Sequence, residues 1–159
     1  MGTSADDEVI CRLVETYSEM LLHLACTRLS STADAEDTVQ EVFLRLLTNR
    51  PRFRDAKHEK AWLIRTTLHR TADLRRAARN RDVPLTDTLP ARPSEPESEI
   101  LSAVRALPEN YSAVIHLYYY EGYSIKEIAK LLGLPIATVG TRLARGRERL
   151  RTLLKEDVT

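Results

Sequence analysis

Glycine is scarce in this 159-residue chain, with five residues and none in a GxGxxG or GxxxxGK arrangement. A phosphate-cradling loop of the nucleotide-binding kind is therefore absent from the sequence. The two cysteines, Cys11 and Cys26, share one apolar stretch without CxxC spacing. They read as a pair of buried thiols in a reducing compartment rather than a disulfide or a metal site. Four histidines, His23, His58, His69 and His116, are scattered without metal-ligand spacing. No apolar run approaches the ~20 residues that cross a bilayer, and Met1–Glu8 is polar and acidic, unlike a signal sequence. The expectation is a cytoplasmic protein that is not an enzyme, has no cofactor and no metal, and does not insert in a membrane.

What is present is charge in blocks. The net charge of +1 hides an acidic segment 1–50, with four basic and nine acidic side chains, and a basic segment 51–81, with ten and three. Residues 82–99 are acidic again (one and five), and 100–159 basic (nine and six). Two basic blocks separated by acidic ones fit two separate contacts with a polyanion.

Apolar residues recur at helical spacing almost throughout, and no period-two strand is evident, which predicts an all-α fold. A first helix is expected over Asp7–Leu29, with Ile10, Leu13, Tyr17, Leu21 and Leu24 on its inner face. Ser31 or Thr32 caps a second, acidic in its first turn at Asp34, Glu36 and Asp37, with Ala35, Val39, Val42, Phe43, Leu46 and Leu47 buried and Pro51 as its stop. A third runs from about Lys60 to Asn80. Residues 82–98 hold Pro84, Pro90, Pro93 and Pro96 without apolar period and read as a flexible linker. The chain thus divides into an N-terminal domain of three or four helices (7–81), the linker, and a C-terminal helical domain (99–156).

In that second domain, Ser124-Ile125-Lys126-Glu127 forms a capping box, Gly133 suits a left-handed helix end, and an arginine-rich helix follows to Leu154. Two helices joined by a tight turn, the second basic, match a helix-turn-helix with a recognition helix for the major groove. Val139, Leu143 and Leu150 would hold that helix down, leaving Thr138, Thr141, Arg142 and Arg145 for bases and phosphates. The third helix sets Trp62, Arg65, His69, Arg70, Arg76 and Arg79 among the hydroxyls of Thr66, Thr67 and Thr71, a combination suited to opened or single-stranded DNA. Trp62 alone is more often core, and Asp73 reads as a salt-bridge partner that orients the arginines. The second helix presents Asp37, Gln40 and Glu41 outside its apolar stripe, either as a solvated face or as a protein contact.

Taken together, these segments resemble the extracytoplasmic-function sigma factors, the smallest class of bacterial sigma subunits of RNA polymerase. Asp34–Phe43 is similar to the region-2 helix that docks on the polymerase clamp, which implies Asp37, Gln40 and Glu41 as contacts to core RNA polymerase. Trp62–Arg76 is similar to the helix that recognises and melts the −10 promoter element. Tyr123–Ala129 with Thr138, Val139, Arg142 and Leu143 is similar to the −35 reader, which adds Lys126 to the DNA contacts. The chain departs from the family pattern at His69, where asparagine is common, at Ile136 and Ala137, and at Gly140 in place of lysine. The resemblance implies promoter DNA and core polymerase as partners, and an anti-sigma factor as a further one. A stand-alone helix-turn-helix regulator is the alternative, although residues 1–80 offer no evident ligand pocket or heptad.

Overall fold

The computed structural model describes residues 4–80 and 99–158, and among these there are helices and no strand. The expected linker, 82–98, lies outside the described residues. The N-terminal domain has three helices: α1 (Ser4–Cys26), α2 (Thr32–Asn49) and α3 (Ala56–Asn80). Helix α1 closes three residues earlier than its apolar period suggests. Arg28 and Leu29 both turn back to the Ala25 carbonyl, at 3.0 and 2.8 Å. Ser31 caps α2, its Oγ accepting from the Asp34 N–H at 3.2 Å. At the other end Arg50 adopts a left-handed φ of 44° directly before Pro51.

Helix α3 begins four residues before the expected Lys60. The reason is Asp55, whose Oδ1 accepts from the His58 N–H at 2.8 Å and satisfies a donor of the first turn. Leu13, Tyr17 and Leu21 of α1 meet Val42, Phe43 and Leu46 of α2 and Leu63 of α3 in the core of this domain. Each such aliphatic side chain removed from water contributes about 1.5–3 kcal/mol. Two expectations fail here. Leu47 is not buried but 39% exposed, beside Leu44 at 60%. Cys11 is exposed and Cys26 half-buried, because Cys11 falls on the outer side of α1.

The C-terminal domain is formed by α4 (Glu99–Ala106), α5 (Glu109–Ile115), α6 (Ile125–Leu132) and α7 (Ile136–Val158). Between α5 and α6 the helix widens into a π-helical turn over His116–Tyr120, closed by Glu121 N–H to the His116 carbonyl at 3.2 Å. Val104, Leu107, Ile115 and Leu143 make a local core, with Leu150 and Leu153 packed on it.

The two domains are not separate bodies in this arrangement. Leu24, Ile64 and Leu68 share one buried cluster with Val114, Leu117 and Leu131. Leu131 of α6 is buried in this shared cluster, beside Ile64 and Leu68 of the N-terminal domain as well as Val139 of α7.

Candidate nucleic-acid interface

Three surfaces carry the residues singled out from the sequence. On α2, Asp37 and Gln40 are exposed and Glu41 is half-buried. Glu41 is engaged on both sides, by Arg45 at 3.8 Å and in an ion pair with Arg70 of α3. Helical spacing continues this acidic face into the exposed Leu44 and Leu47, an apolar ridge that the sequence reading assigned in part to the core.

On α3, steps of three and four residues place Trp62, Arg65, His69, Asp73 and Arg76 on one stripe, and all but the half-buried Trp62 are exposed. Trp62 packs on the N-terminal core, edge-to-face with Phe53 at 6.0 Å between centroids. Asp73 does orient an arginine, Arg76, at 3.3 Å. Arg70 lies off the stripe, turned towards α2, and Arg79 turns towards the C-terminal domain, 3.7 Å from Glu109. The hydroxyls fare differently from expectation. Thr67 and Thr71 are fully buried and donate to the Leu63 and Leu68 carbonyls of their own helix, so they cannot meet DNA.

Behind this helix lies a charged node that residue spacing does not reveal. Arg28 is buried, donating from Nε to Thr71 Oγ1 at 2.6 Å and from Nη1 to the Glu109 carbonyl at 3.1 Å. The Glu109 carboxylate is shared with Arg28 at 3.7 Å and Arg75 at 3.5 Å. Burial pushes the Arg28 guanidinium down to about 10, against the upward pull of Glu109. Arg75 is lowered by the same cause, again opposed by Glu109.

The third surface is the helix-turn-helix. Ser124 and Glu127 form the reciprocal capping box at 3.1 and 3.0 Å, and Gly133 takes φ 69° between α6 and α7. Val139 and Leu143 are buried beneath α7 and Leu150 half-buried, as the spacing predicts. Thr138, Thr141, Arg142 and Arg145 line one side of a shallow groove whose other side is Asn110 and Tyr111. Those two were missed, since they belong to α5 and come to the groove only through packing. Lys126 is exposed at the start of α6. Arg147 takes another face of α7, over the Tyr118 ring at 5.7 Å, whereas Arg149 continues the side of Arg142 and Arg145 and is held over the Tyr111 ring at 5.0 Å.

A family model described as Sigma-70 region 2 matches residues 13–81, and one described as Sigma-70, region 4 matches residues 97–150. The chain is similar to the ECF RNA polymerase sigma factor SigW of Bacillus subtilis, at 28% identity over 95% of this chain and 91% of that protein. It is similar as well to the ECF sigma factor SigL of Mycobacterium tuberculosis, at 30% identity over 98% and 94%. Among solved structures it is similar to the sigma factor RpoE of Bartonella quintana in complex with the anti-sigma factor NepR, with a TM-score of 0.75 and 25% identity over 91% of this chain and 95% of that one. CnrH in complex with the cytosolic domain of CnrY gives 0.71 at 27% identity, over 95% and 90%.

Proposed function

Because the chain belongs to the extracytoplasmic-function sigma factors of RNA polymerase, we propose how its three surfaces divide the work of promoter-specific transcription initiation that it directs. Residues 7–81 bind core polymerase through Asp37, Gln40 and Glu41 on α2, with Leu44 and Leu47 adding apolar contact. The α3 stripe takes the −10 element. Arg65, His69 and Arg76 reach phosphates and bases, and the exposed side of Trp62 offers a stacking surface at the stripe's end. Arg70 and Arg79 flank this stripe and act by neutralising phosphates once their present partners let go. Residues 99–156 take the −35 element, with Thr138, Thr141 and Arg142 at base edges and Arg145 and Lys126 on the backbone. Segment 82–98 is the tether between the two readers.

The single observation that carries this reading is the α3 stripe. Four polar or charged side chains stand exposed on a helix whose opposite face is core, in the same chain as a capped helix-turn-helix. No catalytic residue is needed: the chain acts by binding and positioning, in the cytoplasm where polymerase works. Among the described residues no helix is long and apolar enough to cross a membrane. The likeness to the sigma factor RpoE, solved with the anti-sigma factor NepR, and to CnrH, solved with the cytosolic domain of CnrY, extends over both domains. It supports an anti-sigma factor as a partner of this chain too, to be sought by co-purification from the native host.

Transcription in vitro from a cognate promoter with purified core polymerase tests the division of labour. Start-site RNA should require the added chain. The Asp37→Ala/Gln40→Ala/Leu44→Ala variant should lose core binding while keeping its helical circular dichroism. A chain that shifts promoter DNA equally well without polymerase would instead be a stand-alone regulator.

A further inference from the structure

Helix α7 opens on an apolar side chain that stands in water. Ile136, its first residue, is 52% exposed, whereas Val139 and Leu143 are buried and Leu150 and Leu153 half-buried. It lies at the end of α7 next to the tight turn at Gly133. In a helix-turn-helix, the N-terminal residues of the second helix are the ones that meet base edges.

The face that Ile136 begins is otherwise short. Steps of four lead from it to Gly140 and Ala144. A Cβ at Gly140 would meet nothing within 4 Å, so open space lies one turn behind Ile136. Ala144 is exposed. The longer polar side chains take the other flank. At ~100° per residue, Thr138 and Arg142 turn away from Ile136, and they line the shallow groove with Asn110 and Tyr111.

Base edges in the major groove present nitrogen and oxygen donors and acceptors, and one apolar group, the C5-methyl of thymine. Ile136 can neither donate nor accept. Pressed against an amino group, a carbonyl or N7, it displaces water and returns no hydrogen bond, which is unfavourable. Against a thymine methyl it removes two apolar surfaces from water at once. Its branched Cβ restricts χ1 within a helix, so the surface it offers has a fixed shape. With no Cβ at Gly140, a methyl group beside Ile136 has room on the side of the following turn.

We propose that Ile136 is a specificity-determining residue of the −35 reader: its side chain packs on the C5-methyl of one thymine, in the space that Gly140 leaves open. This role deepens the assignment of residues 99–156 to the −35 element and rests on it. Helix α7 then reads with two flanks. Arg142 takes hydrogen-bonding edges on one, and Ile136 takes a methyl group on the other. The preferred element therefore holds a thymine, on either strand, in a base pair other than the one Arg142 contacts.

The test uses the full chain bound to core polymerase. A −35 element is enriched from a randomised promoter library, and each thymine in it is then replaced singly by deoxyuridine, which lacks only the methyl group. At one position the wild-type holoenzyme should bind about fourfold more weakly, the change expected for one methyl group. Ile136→Ser should bind the thymine promoter more weakly and no longer distinguish the two bases there. Ile136→Val should keep part of the distinction. Helical circular dichroism and core binding should be unchanged in both, since Ile136 stands largely in solvent. An element without thymine, deoxyuridine tolerated at every position, or a penalty that persists in Ile136→Ser overturns the methyl contact and leaves the −35 assignment standing. So does an Ile136→Ser chain that loses core binding instead, which would set Ile136 against protein. Enrichment indifferent to Arg142→Ala/Arg145→Ala overturns the −35 assignment itself, and the contact with it.

Discussion

The Tyr17 hydroxyl donates to Glu59 Oε1 at 2.9 Å, tying α1 to α3 inside the N-terminal domain. Glu59 is buried, and its other oxygen accepts from Arg12 Nη2 at 3.0 Å. Tyr17→Phe strands a buried carboxylate oxygen and should lower unfolding free energy by about 1–3 kcal/mol in urea titrations. Arg12→Ala should cost less, because its guanidinium is solvent-exposed and screened. Burial, then the hydrogen bond and charge of Glu59, push the Tyr17 phenol up from 10.0 to about 12. The contribution of this pair is therefore whole below pH 10.0 and fades as pH climbs through about 12. A larger loss in Arg12→Ala than in Tyr17→Phe would contradict this ranking.

Two glycines in α7 should respond oppositely to the same substitution. A Cβ at Gly140 would meet nothing within 4 Å, so Gly140→Ala should stabilise the helix by about 1 kcal/mol. At Gly146 a Cβ would stand 3.0 Å from Ile115 Cγ1, and Ile115 is buried in the local core. Gly146→Ala should lower Tm, since α7 could no longer approach α5 as closely. Thermal melts of the two single variants decide this; a rise in both would show that Ile115 gives way.

Helix placement was legible because each helix writes its own period and caps. Ser31, the Ser124/Glu127 box and Gly133 all act where their residue types indicate. Asp55 was missed as a cap because no apolar run begins directly after it. Of the site residues, Arg65, His69 and Arg76 could be placed on one face by spacing alone. The partners of Arg70 and Arg79 could not, because Glu41 and Glu109 belong to other helices and only packing brings them close. Leu131 and Arg28 were illegible for the same reason. Their burial depends on the second domain, and Arg28 meets Glu109 across 81 positions of sequence. Leu47 was misplaced because an apolar residue next to a buried stripe looks the same whether it faces a core or a partner.

Arg142 and Lys126 should separate base reading from backbone attraction. Arg142 is half-buried in the groove with Thr138 and Tyr111, whereas Arg145 is exposed one turn on. Arg142→Ala should cost about 1–3 kcal/mol at the preferred −35 sequence and flatten discrimination among its single-base variants. Lys126→Ala should weaken all sequences alike and reduce the salt slope by about one. Promoter-variant competition with the polymerase-bound protein measures both; equal loss of discrimination in the two variants would reverse the assignment of Lys126 to the backbone.

Acid should loosen the contact between the domains before it reaches their cores. Burial pushes the Glu121 carboxyl up, but the neighbouring His116, 3.5 Å away, and the charge of Lys60 outweigh it and hold the group below its ordinary 4.5. Glu127 is held below 4.5 as well, by its capping-box bonds to Ser124 and, more weakly, by Lys57. Both are carboxylates depressed in the folded chain, so their contribution is present above pH 4.5 and lost as pH falls through the lower folded values. Protonation therefore leaves Lys57 and Lys60, which face them at 3.9 and 3.4 Å, without a compensating carboxylate. Scattering and urea stability followed from pH 6 down to about 3 should show the wild-type chain opening over this range. Glu121→Gln/Glu127→Gln should show a weaker interface at pH 6 and a flatter profile below it. A wild-type profile as flat as that of the double variant would mean that these pairs contribute nothing to the contact between the domains.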